Sequence, residues 1–113
     1  MSDLARGPMA NMPATTGDGF LRRREDWSPA VAEELARREG IQLTEAHWEI
    51  IDLLHDYYTS FDSSPAMRAL VKYTRLQLGD DKGRSIYLLR LFPGSPAKLG
   101  SKIAGLPKPA NCL

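Results

Sequence analysis

The chain has few of the residues on which the common kinds of protein chemistry depend. It has one cysteine and two histidines among 113 residues. A single cysteine cannot close an internal disulfide, so a secreted disulfide framework is excluded. A formal net charge of +1 does not provide the strong positive field that tight duplex binding needs. No apolar run is long enough for a signal peptide or a membrane span. We therefore expect a soluble, cytoplasmic protein without a membrane segment.

The patterns of several enzyme classes are also missing. There is no glycine-rich phosphate loop, no nucleophile elbow and no carboxylate pair at catalytic spacing. His47 and His55 lie eight residues apart, whereas a helical metal pair favours a spacing of four with further ligands nearby. The sequence therefore predicts no metal and no cofactor. Each histidine is interpreted as a packing or surface residue, and one of them could contact the C-terminal segment if that segment folds back.

Helix start signals dominate the middle of the chain. A serine followed by proline combines an N-cap with the residue preferred at the first helical position, and this pair occurs at Ser28-Pro29, Ser64-Pro65 and Ser95-Pro96. Thr44 predicts a further cap, and the broad apolar face that follows over residues 48–58 suggests a central helix. Residues 86–92 predict another helix, with a strand as the competing interpretation. About five helices result.

The predicted architecture is a mostly helical α+β domain that resembles an orthogonal, helix-turn-helix-like bundle. Residues 1–18 have no apolar period and are interpreted as a loose tail. Phe20 and Leu21 begin a short apolar stretch that would pair as a strand or a small hairpin. The expected core spans residues 19–104, and residues 105–113 form an arm.

The C-terminal segment is predicted to be extended. Gly105, Pro107 and Pro109 forbid a helix there, because proline lacks an N–H and pushes the preceding residue toward extended geometry. Cys112 lies one residue from the end of this arm. A cysteine kept only for packing would rarely stand at a chain end, where backbone order is hardest to maintain. The arm therefore carries the main candidate site.

Two lysines could support a reactive thiol at Cys112. Lys108 lies four residues before it, and Lys102 lies near the start of the same segment. Neighbouring cations lower the pKa of a cysteine thiol and raise its thiolate fraction. The alternative is an inert surface cysteine. We favour the reactive thiol, because an exposed thiol on a stiff arm is suited to being handed between proteins.

A second candidate is a basic stripe on the third helix. Arg68, Lys72 and Arg75 share one helical face. A helix, a short link and a basic helix are also the elements of a DNA-binding module. An ordinary solvated face is the preferred interpretation. If the stripe does bind a partner, an acidic protein would fit it as well as DNA would.

The closing residues IAGLPKPANCL resemble the C-terminal arm of the TusE/DsrC family of sulfur-carrier proteins. The likeness includes WSPA near Trp27, EGIQLTEAHWEII at 39–51, YYTSFDSSPAMRALVK at 57–72 and YLLRLFPGSPAKLGSKIAG at 87–105. It covers the chain from roughly residue 16 onward. These motifs are long and follow the family's order, so the resemblance is specific.

The resemblance implies a helical domain with an N-terminal β-hairpin and a flexible arm whose Cys112 carries a persulfide sulfur. The donor would be a complex like TusBCD or DsrEFH. In TusE-like members the acceptor is the tRNA thiouridylase MnmA, and the product is 2-thiouridine. The carrier itself would be a monomer that does not bind nucleic acid directly. Whether such a carrier counts as an enzyme stays open.

DsrC-like members act with dissimilatory sulfite reductase and use a second arm cysteine, whose position here is Ser101. A hydroxyl cannot close the disulfide, so the resemblance favours the TusE-like branch. The alternative is a one-cysteine paralogue in dissimilatory sulfur metabolism. A helix-turn-helix regulatory module and a purely structural interaction subunit are the other classes of function. Residues 1–18 also lack the alternating pattern of the family's first hairpin strand, so that hairpin is expected to be reduced or differently built.

Overall fold

Five α-helices form the body of the protein in a computed structural model, which describes residues 11–110. They are α1 (Pro29–Arg38), α2 (Glu45–Phe61), α3 (Met67–Leu78), α4 (Ser85–Leu91) and α5 (Pro96–Ile103). The mostly helical class is confirmed, and residues 86–91 belong to helix α4 rather than to a strand, with Phe92 as its C-cap. Cys112 lies outside the described residues.

Two of the three serine-proline starts are confirmed. The Ser28 hydroxyl accepts a hydrogen bond from the Val31 amide at 3.3 Å. The Ser95 hydroxyl accepts one from the Lys98 backbone amide, also at 3.3 Å. In both helices proline occupies the first turn, where its missing N–H leaves nothing unsatisfied. These short motifs specify where α1 and α5 begin.

The start predicted at Ser64-Pro65 is wrong. Helix α3 begins at Met67, and its N-cap residue, Ala66, makes no side-chain cap. The Ser64 hydroxyl instead donates a hydrogen bond to the carbonyl oxygen of Pro107, 2.6 Å away. The Ser64 hydroxyl therefore contributes to a contact distant in sequence rather than to the start of α3.

Helix α2 begins with the cap predicted at Thr44. The Thr44 amide donates to Nδ1 of His47 at 3.0 Å, and the two residues form a reciprocal capping box. The Nε2 of the same ring lies 2.9 Å from the Leu91 carbonyl oxygen. Since a carbonyl only accepts, Nε2 must carry the proton. Buried His47 therefore joins the start of α2 to the end of α4.

Helix α5 occupies the central position that the sequence suggested for α2. It packs against all four other helices, and its buried residues include Ala97, Gly100 and Ser101. A Cβ atom at Gly100 would lie only 3.1 Å from Cδ1 of Leu54 in α2. Small residues on α5 thus let its neighbours approach closely.

The N-terminal hairpin is not confirmed. Within residues 11–110 the pairing is limited to an isolated antiparallel bridge between Thr15 and Leu21. The turn over residues 14–22 is held by the buried side chains of Phe20 and Leu21 and by backbone hydrogen bonds such as that from the Arg22 amide to the Ala14 carbonyl oxygen, 3.1 Å. A short 3₁₀ helix, Arg24–Asp26, follows it. None of the helices in the described part of the chain has the length and apolar character needed to cross a bilayer.

Candidate functional site at the root of the arm

The last carbonyl groups of α5 are held by side chains from elsewhere in the chain. The indole Nε1 of Trp27 donates to the Ile103 carbonyl oxygen at 2.9 Å. Nε2 of His55 lies 2.8 Å from the Ala104 carbonyl oxygen. A helix leaves its final carbonyls without intrahelical partners, and this end of α5 is buried from water. Trp27 and His55 therefore supply hydrogen bonds that solvent cannot.

The two rings also support each other. Their centroids lie 4.4 Å apart, and their planes meet at 84°, an edge-to-face arrangement. Because the Ala104 carbonyl can only accept, the His55 proton must reside on Nε2. We call these two side chains and the carbonyls they bind the arm clamp.

The chain turns sharply at the clamp. Gly105 has a φ of +72°, the left-handed region that favours glycine. Its amide donates to the backbone carbonyl oxygen of Lys102 at 3.0 Å, and the Leu106 amide donates to that of Ser101 at 2.9 Å. This pair of bonds is a Schellman motif, which ends a helix and reverses its direction. The Leu106 side chain, 1% exposed, then enters the core.

Two more contacts hold the next residues of the arm. Besides the bond from Ser64 to Pro107, the ammonium group of Lys108 lies 3.0 Å from a carboxylate oxygen of Asp18. The hydrogen bond to Lys108 and the charge of that lysine hold the pKa of Asp18 below its ordinary value. The path of the chain as far as Lys108 is therefore fixed by long-range contacts.

The two lysines predicted to support the thiol both have carboxylate partners. Lys102 pairs with Glu39 at 3.0 Å, and its ammonium group lies 5.4 Å from the centre of the Phe20 ring. Lys108 pairs with Asp18. Their role toward Cys112 stays a prediction, since that residue is not described.

Ser101, the position of the earlier cysteine in DsrC-like members, lies within α5 rather than on the arm. It is 0% exposed, and its hydroxyl oxygen has no hydrogen-bond partner in the described structure. A thiol at this depth would be reachable only if the end of α5 opened.

The basic stripe lies on the exposed side of α3, as its spacing indicated. Arg75 donates to the Gly83 carbonyl oxygen at 3.2 Å, so it fastens a loop. Arg68 and Lys72 make no ion pair with any residue in 11–110. The structure thus separates the stripe into one structural arginine and two free cations.

Sequence reasoning missed most of the contacts around the arm. The sequence predicts that one of the two histidines could contact a folded-back arm without saying which, and His55 does bind the Ala104 carbonyl just before the arm. Trp27 belongs to the WSPA motif, but the sequence indicates no role for its side chain. The local pattern at Ser64 predicts a helix cap rather than its bond to Pro107, and no local pattern indicates the pairing of Asp18 with Lys108.

These features define a small helical domain in which the first residues of the C-terminal arm are bound to the body of the protein. The family model described as DsrC like protein matches residues 10–113, and the chain belongs to that family.

Individual relatives agree with this assignment. Sulfurtransferase TusE of Sodalis glossinidius is 52% identical over 100 residues, which span 88% of this chain and 93% of that protein. Sulfurtransferase TusE of Yersinia pseudotuberculosis is 50% identical over 99 residues, covering 88% of this chain and 92% of that one.

Among solved structures, the NMR structure of Allochromatium vinosum DsrC matches with a TM-score of 0.80 and 44% identity over 88% of this chain and 89% of that one. The oxidised gamma-subunit of dissimilatory sulfite reductase (DsrC) from Archaeoglobus fulgidus has a TM-score of 0.75 and 40% identity, covering 89% of this chain and 92% of that chain. The family resemblance predicted from the sequence is confirmed.

Replacing Gly105 by alanine should destabilise the protein more than the same change at Gly40. Both glycines have positive φ, +72° and +75°, so both substitutions carry a backbone penalty of about 1 kcal/mol. A Cβ at Gly105 would overlap the Trp27 ring, whereas Gly40 faces open space. We expect Gly105→Ala to lose roughly 1–3 kcal/mol more in urea unfolding. Equal losses would show that Gly105 is not packed against Trp27.

The pKa of Asp18 provides a second test. In Lys108→Ala the pKa of Asp18, followed by NMR titration, should rise to nearly its ordinary value. Lys102→Ala should change it much less, because Lys102 acts on Asp18 only weakly and at longer range. A lowered folded-state pKa means that the contact stabilises the fold at neutral pH and is lost as the pH falls through that value. An unchanged Asp18 titration in Lys108→Ala would contradict the pairing.

Proposed function

We propose that this chain is a sulfur carrier that accepts a persulfide sulfur on Cys112 and passes it to an acceptor protein in the relay for tRNA 2-thiouridine synthesis. One observation supports this most: the family match runs through residue 113, so it includes the chain's only cysteine at the penultimate position. Relatives named sulfurtransferase TusE share about half of the sequence.

The proposed transfer is thiol exchange. The Cys112 thiolate attacks the outer sulfur of a donor persulfide, the donor's S–S bond breaks, and the donor cysteine leaves as a thiolate. Cys112 then carries the added sulfur as a persulfide. An acceptor thiolate attacks that terminal sulfur and releases the Cys112 thiolate, so no external oxidant or reductant is needed. The rate depends on the thiolate fraction, the pKa of the leaving thiol and access.

The arm clamp gives the carrier a fixed starting point. With residues up to Lys108 held to the body, four further residues lead to Cys112. A fully extended chain of that length reaches at most ~14 Å. Pro109 restricts this short segment further and reduces the ordering needed when it enters a partner. We propose residues 105–113 as the arm and 19–104 as the body that presents it.

Lys108 would have two successive roles in this proposal. In the free carrier it pairs with Asp18 and holds the arm to the body. In a partner's cleft, separation from Asp18 would leave its ammonium group available to the Cys112 thiolate. Lys102, paired with Glu39, would contribute only at longer range.

Ser101 favours single-thiol transfer. A serine cannot attack a persulfide to form a disulfide, and this one is buried in α5. We therefore place the carrier in the TusE-like branch, with a TusBCD-like or DsrEFH-like donor and a tRNA thiouridylase as acceptor. Chemistry on a free thiol fits the reducing cytoplasm.

A second candidate is a one-cysteine paralogue in dissimilatory sulfur metabolism, and the likeness to DsrC structures favours it. In that case the carrier would load from a DsrEFH-like donor and would fail to support thiouridylation.

Incubation with a persulfide donor should add one sulfur atom to the C-terminal peptide, detected by mass spectrometry. Because Cys112 is the chain's single thiol, Cys112→Ser should abolish the gain. The circular dichroism spectrum should stay unchanged. Ser101→Ala serves as the matched control and should load normally. Sulfur found on any other peptide, or a wild-type protein that does not load, would overturn the proposal.

A further inference from the structure

The short reach of the arm has a consequence for the proteins that receive it. Even with Lys108 released from Asp18, Cys112 stays within ~18 Å of Pro107, five residues before it. A partner that takes this cysteine into a cleft must therefore also touch the body beside the arm. The bond from Ser64 to Pro107 places the start of α3 at that position. The neighbouring surface of α2 and α3 is therefore a place where contact with a partner is expected on geometric grounds.

An exposed aromatic group lies on this surface. Tyr57 and Phe61 at the end of α2 have ring centroids 4.5 Å apart, and Tyr73 of α3 meets them at 5.1 and 6.1 Å. Phe61 is 55% exposed, although these contacts hold it in place. A rigid aromatic ring that projects from a supported cluster is typical of an interface anchor.

Free cations flank the aromatic group on α3. Arg68 and Lys72 are one turn apart, and neither has an ion-pair partner within residues 11–110. Successive helical residues are separated by 100°, which places Leu76 between Lys72 and Tyr73 around the helix. Leu76 is 71% exposed. Apolar and cationic side chains are thus adjacent on one face of α3.

We propose that Tyr57, Phe61, Arg68, Lys72, Tyr73 and Leu76 form a docking surface for the protein that takes the arm. The partner would offer an apolar pocket for Phe61 and acidic side chains for Arg68 and Lys72. This inference rests on the proposed function, since it assigns the contact that accompanies delivery of Cys112.

A protein fits this surface better than a nucleic acid. A carboxylate oxygen of Asp56 accepts a hydrogen bond from the Tyr73 hydroxyl at 2.6 Å, and Asp62 follows Phe61 directly in the sequence. These carboxylates would repel a phosphate backbone, and two free cations are few for a phosphate-based interface. Acidic side chains at defined positions in a protein can pair with the cations and avoid the carboxylates.

The test measures sulfur loading of Cys112 as a function of carrier concentration, with a purified TusBCD-like donor complex, and unloading to a purified tRNA thiouridylase. Phe61→Ala should raise the half-saturating carrier concentration roughly tenfold in at least one of the two reactions, with little change in the maximal rate. Lys72→Glu should raise it as well and should weaken its dependence on salt.

The matched controls lie on α4. Ile86 is as exposed as Phe61, at 55%, and Arg90 is an exposed cation without an ion pair in the described structure. Ile86→Ala and Arg90→Glu should leave both reactions unchanged. All variants should load at the wild-type rate from a small-molecule persulfide, which needs no docking.

The outcomes separate this inference from the proposed function. A wild-type protein that accepts no sulfur from either protein or small donors contradicts the carrier function itself. If the wild type loads and unloads but Phe61→Ala and Lys72→Glu behave like the α4 controls in both reactions, the docking surface is wrong. A salt-sensitive complex with tRNA that depends on Lys72, combined with unaltered protein reactions, would assign the surface to nucleic acid and overturn the proposal.

Discussion

The buried end of α5 leaves carbonyl groups that must be bonded within the protein. Helix ends are usually at the surface, where water satisfies the last carbonyls, but α5 packs against every other helix and has no such access. Trp27 and His55 provide the donors. An unmade hydrogen bond at a buried polar group costs about 1–3 kcal/mol, so the direction in which the chain leaves α5 is strongly determined.

This constraint determines how the arm is presented. The clamp determines the direction in which the chain leaves α5. Along that direction the chain forms the Schellman turn at Gly105, buries the Leu106 side chain and meets Ser64 and Asp18. A carrier whose whole arm was free would have to order many residues at each docking event. Here residues 105–108 already contact the body, so they need not be ordered when a partner binds, which reduces the entropic cost of docking. In the proposed docking, the same constraint limits the reach of Cys112 and brings the partner against α2 and α3.

The helices could be predicted because their signals are local. In each motif the serine, the proline and the amide that the serine hydroxyl binds lie within four residues, so the sequence predicts the starts of α1 and α5 directly. The clamp could not be predicted in this way. Its bonds join residues separated by 76 and 49 positions, and the other arm contacts span 43 and 90. Ser64 illustrates the limit: its local pattern predicts a cap, but a distant carbonyl binds its hydroxyl.

The arm clamp is tested most directly by amide hydrogen exchange at Gly105 and Leu106, measured by NMR. Both amides should exchange as slowly as the Ala104 amide at the end of α5. Trp27→Phe should speed their exchange, while Trp48→Phe, at the chain's other tryptophan, should leave it unchanged. Fast exchange at Gly105 and Leu106 in the wild-type protein would contradict a fixed root for the arm.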